Sequence, residues 1–331
     1  MRRLRALGLC MVAALAISAI AVSSASAEAP EYGRCIKKAK AEGGGYSNSG
    51  CTTSVETGAK FEWVAGPGPK AHFTSVERFV FTAKYNNCIS ARGEEQIAEE
   101  DLSAAKIARE KEEIGRAEEL EHEAAIHQAS ANAYREKAGL TKEGCEKLIA
   151  EEKAKAPAEL ETVSGTPIVC GGVTSEGEYT GPKTIANLVT SFTECTTSGF
   201  KCTSPGAEPG EIVTSALNGE LGVIKKEATK TKVGIDLAPP PGTVETEFTC
   251  GGFVHVVVTG SVIHEVRGNV MILTENESFA QNKGKQKPEK FEGLEADVLE
   301  SSIGGGPNVQ SGLTLRGFLT NEEKIEVNTV V

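Results

Sequence analysis

Aromatic side chains are scarce in this chain of 331 residues: one tryptophan, five tyrosines and eleven phenylalanines, 5% in all. Sugars ordinarily stack on exposed rings, so the tryptophan-free, aromatic-poor C-terminal strands count against carbohydrate recognition. Histidine is rarer still, at five. None has a serine partner that spacing identifies, and no G-x-S-x-G elbow occurs. Close cysteine pairs are missing too. The tightest spacing, Cys195 to Cys202, is wider than the C-x-x-C pairs from which zinc sites are built. Basic charge is in deficit, with 35 Lys and Arg against 46 Asp and Glu and a net charge of −11. Nucleic acid as a partner is disfavoured, because phosphate binding needs a basic face.

What is present begins with a leader. Arg2, Arg3 and Arg5 precede an apolar run from Leu7 to Val22, and Ala25-Ser26-Ala27 follows as a small-residue cleavage pattern. Residues 1–27 therefore read as a Sec-type signal peptide cleaved after Ala27. The run is shorter than the roughly 20 apolar residues of a membrane span, so no transmembrane segment is expected in the mature chain. Cys10 lies inside this leader, ahead of most of the apolar run, which rules out a lipoprotein signal. Export to the cell envelope or beyond gives the remaining cysteines a meaning. Cys35, Cys51, Cys88, Cys145, Cys170, Cys195, Cys202 and Cys250 are even in number and read as a disulfide framework. Proximity favours Cys35–Cys51 and Cys195–Cys202. Cys88–Cys145 would clamp the segment between them, leaving Cys170–Cys250.

The mature chain divides into three parts by composition. Residues 28–91 carry short alternating runs, such as Lys60–Val64 and Arg78–Thr82, around a Gly66-Pro67-Gly68-Pro69 turn, and read as a small β-rich unit. Residues 92–157 are rich in Ala, Glu and Lys, which are strong helix formers. A stripe recurs at heptad spacing through Ile107, Ile114, Ala117, Ala124, Ala131 and Ala138, beside Leu120 and Tyr134. Gly139-Leu140-Thr141 should break the first helix, with Thr141 capping a second that runs to about Lys155. The expectation is a weakly packed antiparallel helical hairpin, inserted into the fold. Residues 158–331 hold short strands rich in Val, Ile and Thr, from Leu160–Val163 to Lys324–Thr329, separated by turn signals. Without intervening helices they imply a mainly β fold, an antiparallel sandwich or barrel-like core.

Stretches of this sequence resemble a family of uncharacterised secreted β-rich proteins abundant in some high-GC Gram-positive soil bacteria. The likeness runs through Leu160–Val163, Ile168–Cys170, Gly177–Thr184, Cys195, Gly199–Ser204, Gly210–Val213 and Gly284–Pro288, and includes the start Glu28–Cys35. It skips residues 92–157, as an insertion would. The resemblance implies one β module with Cys170, Cys195, Cys202 and Cys250, and no chemistry.

Three motifs fall short of a site. His122 and His127 are five residues apart, roughly 140° around a helix, and so cannot share an ion as His at i and i+4 do. His255 and His264 could face each other across a hairpin turning near Gly260, with Glu265 adjacent, but a metal needs at least a third ligand. Lys283, Lys285, Lys287 and Lys290 surround Gly284 without the hydroxyl of a phosphate loop, and read as a solvated turn or a polymer contact. No catalytic, cofactor-binding or metal residue is assigned, and no cofactor is expected. The reading is a secreted or cell-wall-associated module, leaning non-enzymatic, that binds a wall or extracellular polymer or forms structure. The alternative is an extracellular hydrolase whose carboxylate pair only the fold brings together.

Overall fold

The computed structural model describes residues 30–38, 45–78, 82–163, 167–227, 231–294 and 298–329. The expected leader and Cys10 lie outside the described residues, as do Phe79, Val80 and Phe81. Three strands come first: β1 (Glu31–Lys37), β2 (Phe61–Ala65) and β3 (His72–Arg78). Three helices follow: α1 (Ala83–Glu110), α2 (Ile114–Ala138) and α3 (Lys142–Lys153). The next strands are β4 (Ala158–Thr162), β5 (Pro167–Cys170), β6 (Gly172–Tyr179), β7 (Thr184–Thr193), β8 (Thr196–Thr197) and β9 (Phe200–Thr203). Then come β10 (Ile212–Val213), β11 (Leu217–Lys226), β12 (Thr231–Ala238), β13 (Thr246–Cys250), β14 (Val254–Gly260) and β15 (Val262–Val266). Last are β16 (Ile272–Asn282), β17 (Lys285–Lys287), β18 (Leu299–Ile303) and β19 (Val309–Asn328).

Antiparallel ladders close these strands into a barrel of two tiers. In one tier β4 pairs with β19, β19 with β18, β18 with β14 and β14 with β13. The ring continues from β13 to β9, β8 and β5, and β5 returns to β4. In the other tier β16, β19, β3, β6, β7, β11, β12 and β15 are paired in that order. There β15 abuts β16, where the His264 Nδ1–H donates to the Ser278 carbonyl at 3.2 Å. The tiers share staves. Only Gly171 separates β5 from β6, only Ser261 separates β14 from β15, and β19 runs the full height. Every-other-residue alternation points Leu299, Leu315, Phe248, Val173, Val233 and Leu221 inward, each under 3% exposed. Each such side chain contributes about 1.5–3 kcal/mol by leaving water. β1 lies across one end, held to β19 and β2, and buries Tyr32 with its ring 4.8 Å from that of Tyr179.

The fold is therefore mainly β, with a helical hairpin, as the sequence implies. Several finer expectations are corrected. The N-terminal segment is not a separate unit: β3 is a stave between β19 and β6, with Phe73 and Ser75 buried. The helical region begins at Ala83, ahead of residue 92, because Thr82 caps it, its Oγ1 accepting from Tyr85 N at 3.1 Å. Glu152 from α3 takes the Thr82 hydroxyl at 2.7 Å and locks that start in place. The hairpin turns at Lys111-Glu112-Glu113, with Glu112 at φ 62°, so Gly139 ends the second long helix and not the first. The expected strands Leu313–Thr320 and Lys324–Thr329 belong to one continuous β19.

Disulfide Cys35–Cys51 joins as proximity suggests, and Cys88–Cys145 clamps the helical segment as expected. The other two differ: the bridges are Cys170–Cys195 and Cys202–Cys250. Cys195 and Cys202 do lie opposite each other, but as a hydrogen-bonded pair, with Cys202 N donating to the Cys195 carbonyl at 3.0 Å. Each bonds instead to the strand on its far side, where the Cα atoms are 4.0 and 3.9 Å apart. The non-hydrogen-bonded positions of a ladder bring residues that close.

Candidate functional site

The helices meet the barrel at their base. Gly93 of α1 touches the turn between β8 and β9, where an added Cβ would stand 2.0 Å from the Ser198 carbonyl oxygen. The Ser198 hydroxyl donates to Gln96 Oε1 at 3.0 Å. Beside this contact lies a cleft of about 200 Å³ lined by Tyr85, Arg92, Gln96, Ile149, Val169 and Thr197. Arg92, its one cation, is engaged by both oxygens of Glu146. Burial pushes the Tyr85 hydroxyl up to about 12. The cleft thus has no unpaired charge to offer a ligand.

Beyond the base the two long helices touch chiefly each other. Ala91, Ala98 and Ala105 of α1 face Ala117, Ala124 and Ala131 of α2, all 3% exposed or less. Ile107 and Ile114, expected in the stripe, are 51% and 47% exposed near the turn. Glu95 is buried between the chains of charge, bonded to Arg135 and, at 3.1 Å, to Lys142. Its carboxyl is raised by burial, but the hydrogen bonds and charges of Lys142 and Arg135 outweigh this and hold it below the usual range. His127 turns inward, Nδ1 2.7 Å from Glu94, while His122 is exposed. The two do not converge.

His255 and His264 do not converge either. A bend at Gly260 makes β14 and β15 two segments of one stave, not a hairpin: β14 pairs with β13 and β18, β15 with β12. Gly260 sits at φ 97°, with an added Cβ only 2.2 Å from the Val298 carbonyl oxygen, so no other residue fits the bend. His255 is exposed, 3.8 Å from Glu247, whereas His264 is inside the barrel against Phe279. Among the described residues no three His, Cys, Asp or Glu group together as metal ligands. The lysines of the Gly284 turn are exposed, and Lys287 pairs with Glu289 at 2.9 Å. Gln286 beneath them is fully buried, its amide matching the backbone of Leu313 and Ala280.

Sequence reasoning missed the acids inside the barrel. Glu245 and Glu277 line one enclosed cavity of about 20 Å³ with Thr190, Thr214, Leu237 and Leu315. The Oε2 atom of each is buried with no hydrogen-bond partner among the described residues. Burial alone pushes the Glu245 carboxyl up to about 8, so it is protonated at neutral pH. A second space of about 40 Å³ continues past Glu245 towards Phe248 and Ile168. The smaller cavity has room for no more than a single water and is far too small for a sugar ring. Towards the β1 end, Glu275 is also raised by burial, and Glu326 is pushed up to about 7 for the same reason. The alternation Glu275, Glu277, Phe279 placed these acids on the core face. Their meeting with Glu245 is spatial and left no trace in the spacing.

No protein-family model matches this chain, and comparisons with curated proteins and with solved structures also find no match. Among the described residues no helix is long and apolar enough to cross a membrane.

Proposed function

We propose that the chain is an exported module, secreted or held at the cell envelope, that binds a wall or extracellular polymer without catalysing a reaction. One observation carries the reading. The barrel interior is filled, its acid pair enclosing about 20 Å³, so recognition falls to the outer surface. Glu245 and Glu277 line this same small cavity, which leaves no room for the substrate that a glycoside hydrolase would take. Four disulfides suit an oxidising exterior. The leader-like residues 1–27 and the resemblance to secreted proteins of high-GC Gram-positive bacteria point the same way. The test is co-sedimentation of the mature, oxidised protein with purified bacterial cell walls, alongside hydrolysis assays on the same walls. Retention without released sugar or peptide is expected. Release abolished by Glu245→Gln would overturn the proposal in favour of a hydrolase.

A further inference from the structure

The outer surface of the barrel is not uniform. Five strands, β16, β19, β3, β6 and β7, present two parallel ranks of outward side chains. Register aligns Asn276, Phe318, Val76, Thr174 and Ser191 in one rank, and Thr274, Thr320, Thr74, Glu176 and Val189 in the other. Phe318 and Val76 are neighbours at 52% and 59% exposed, uncovered by any of the described residues. A shallow trough of about 350 Å³ runs along Thr74, Val76, Thr174, Glu176, Val189 and Ser191. Only Glu176 among these ten side chains is charged, although 24% of the chain is charged and the net balance is −11. By contrast, outward positions on β11 and β12 include Glu220, Lys225 and Lys232.

The chemistry of this face narrows its partner. The Ser191 hydroxyl donates to Glu211, and Thr274 pairs with Thr320 at 3.4 Å, but the Thr74 and Thr174 hydroxyls and the Asn276 amide would be left unpaired beneath an apolar protein surface, which is unfavourable. A polyanion finds no cation here and meets Glu176. A chain with hydroxyls along its edges and C–H groups on its faces satisfies both the Thr, Ser and Asn groups and the Phe318 ring. Rows repeat with the strand spacing of about 4.8 Å, and two such steps are close to the rise of a disaccharide in an extended β-1,4 chain. We propose that an uncharged, extended β-linked polysaccharide lies across these strands, stacked on Phe318 and running down the trough. This rests on the polymer-binding reading above and supplies its surface and ligand class. It also reverses the expectation drawn from aromatic scarcity, since one ring suffices where the strands place it outward.

The probes are chitohexaose and cellohexaose in calorimetry, with insoluble chitin and cellulose in sedimentation, using the full mature protein. Phe318→Ala and Thr174→Arg, both at exposed positions, should each weaken binding at least tenfold, and Glu220→Ala should not change it. Unchanged melting temperatures show that the variants remain folded. Absence of binding to every glycan by the parent protein would overturn the proposal, as would full-strength binding by both variants. If the parent and both variants sediment equally with cell walls while ignoring the hexasaccharides, this face is wrong and the wall-binding reading stands. If the hexasaccharides bind through Phe318 while walls are not retained, the face stands and the wall reading falls.

Discussion

The barrel and the helical hairpin are held together in opposite ways. The barrel buries Phe, Leu, Ile and Val from most of its staves around one axis, and adds two disulfides that tie β5 to the residue before β8 and β9 to β13. The hairpin buries alanine against alanine along a seam that the lengths of α1 and α2 extend to roughly 40 Å. Alanine lets two helices approach closely yet removes little area from water. What fixes the hairpin is its base: the Cys88–Cys145 bridge, the Thr82–Glu152 clasp and the buried Glu95 pairs. Apolar area stabilises the first region, and local helix propensity plus a stapled base stabilises the second.

Variants on each side sharpen this contrast. Phe248→Ala, at 1% exposure in the barrel, should lower global stability by about 3–5 kcal/mol. Chemical denaturation followed by strand-sensitive circular dichroism reads it, and a loss below ~1 kcal/mol would mean the core is less tightly packed than it looks.

Next in size is a pH effect confined to the barrel. Glu245 holds its proton more tightly folded, at about 8, than the ordinary carboxylate value of 4.5. Its contribution is therefore fully present below pH ~4.5 and is lost as pH rises through about 8. Glu326, raised to about 7, acts in the same direction. Stability should fall by on the order of a few kcal/mol between pH 5 and 9, and Glu245→Gln should flatten much of that slope. A parent profile that rises over this range would refute the assignment.

The smallest effect belongs to the hairpin. Ala124→Gly, at mid-helix, should cost about 1 kcal/mol, appear in the helical signal at 222 nm, and leave the barrel's unfolding midpoint nearly unchanged. A barrel midpoint displaced as far as by Phe248→Ala would show that the two regions unfold as one.

How much of this was legible depended on whether a signal was local. Alternation in runs such as Leu313–Phe318 announced strands with one apolar face. Thr141 and Gly139 marked helix ends because capping is local chemistry. The turn at Lys111-Glu112-Glu113 was hidden, since three charged helix formers carry no breaker and Glu112 takes a left-handed conformation without glycine or asparagine. Ala91, Ala98 and Ala105, the partner stripe, stood in the sequence at heptad spacing but mattered only once the turn was known. Barrel closure was illegible for a different reason. At Gly171 and Ser261 one stave passes between tiers with no loop to announce it, and at the second of these the two segments read as a hairpin. The bend at Gly260 is what separated His255 from His264. The Glu245–Glu277 pair depends on the same closure.

The most direct test of a self-sufficient barrel carrying a locally stabilised hairpin is native-state hydrogen exchange, read by mass spectrometry along the chain. Amides of β6, β14 and β19 should exchange only through global unfolding, while those between about residues 97 and 126 exchange through a much cheaper local opening. Equal protection in the two regions, rising and falling together with denaturant, would contradict the account.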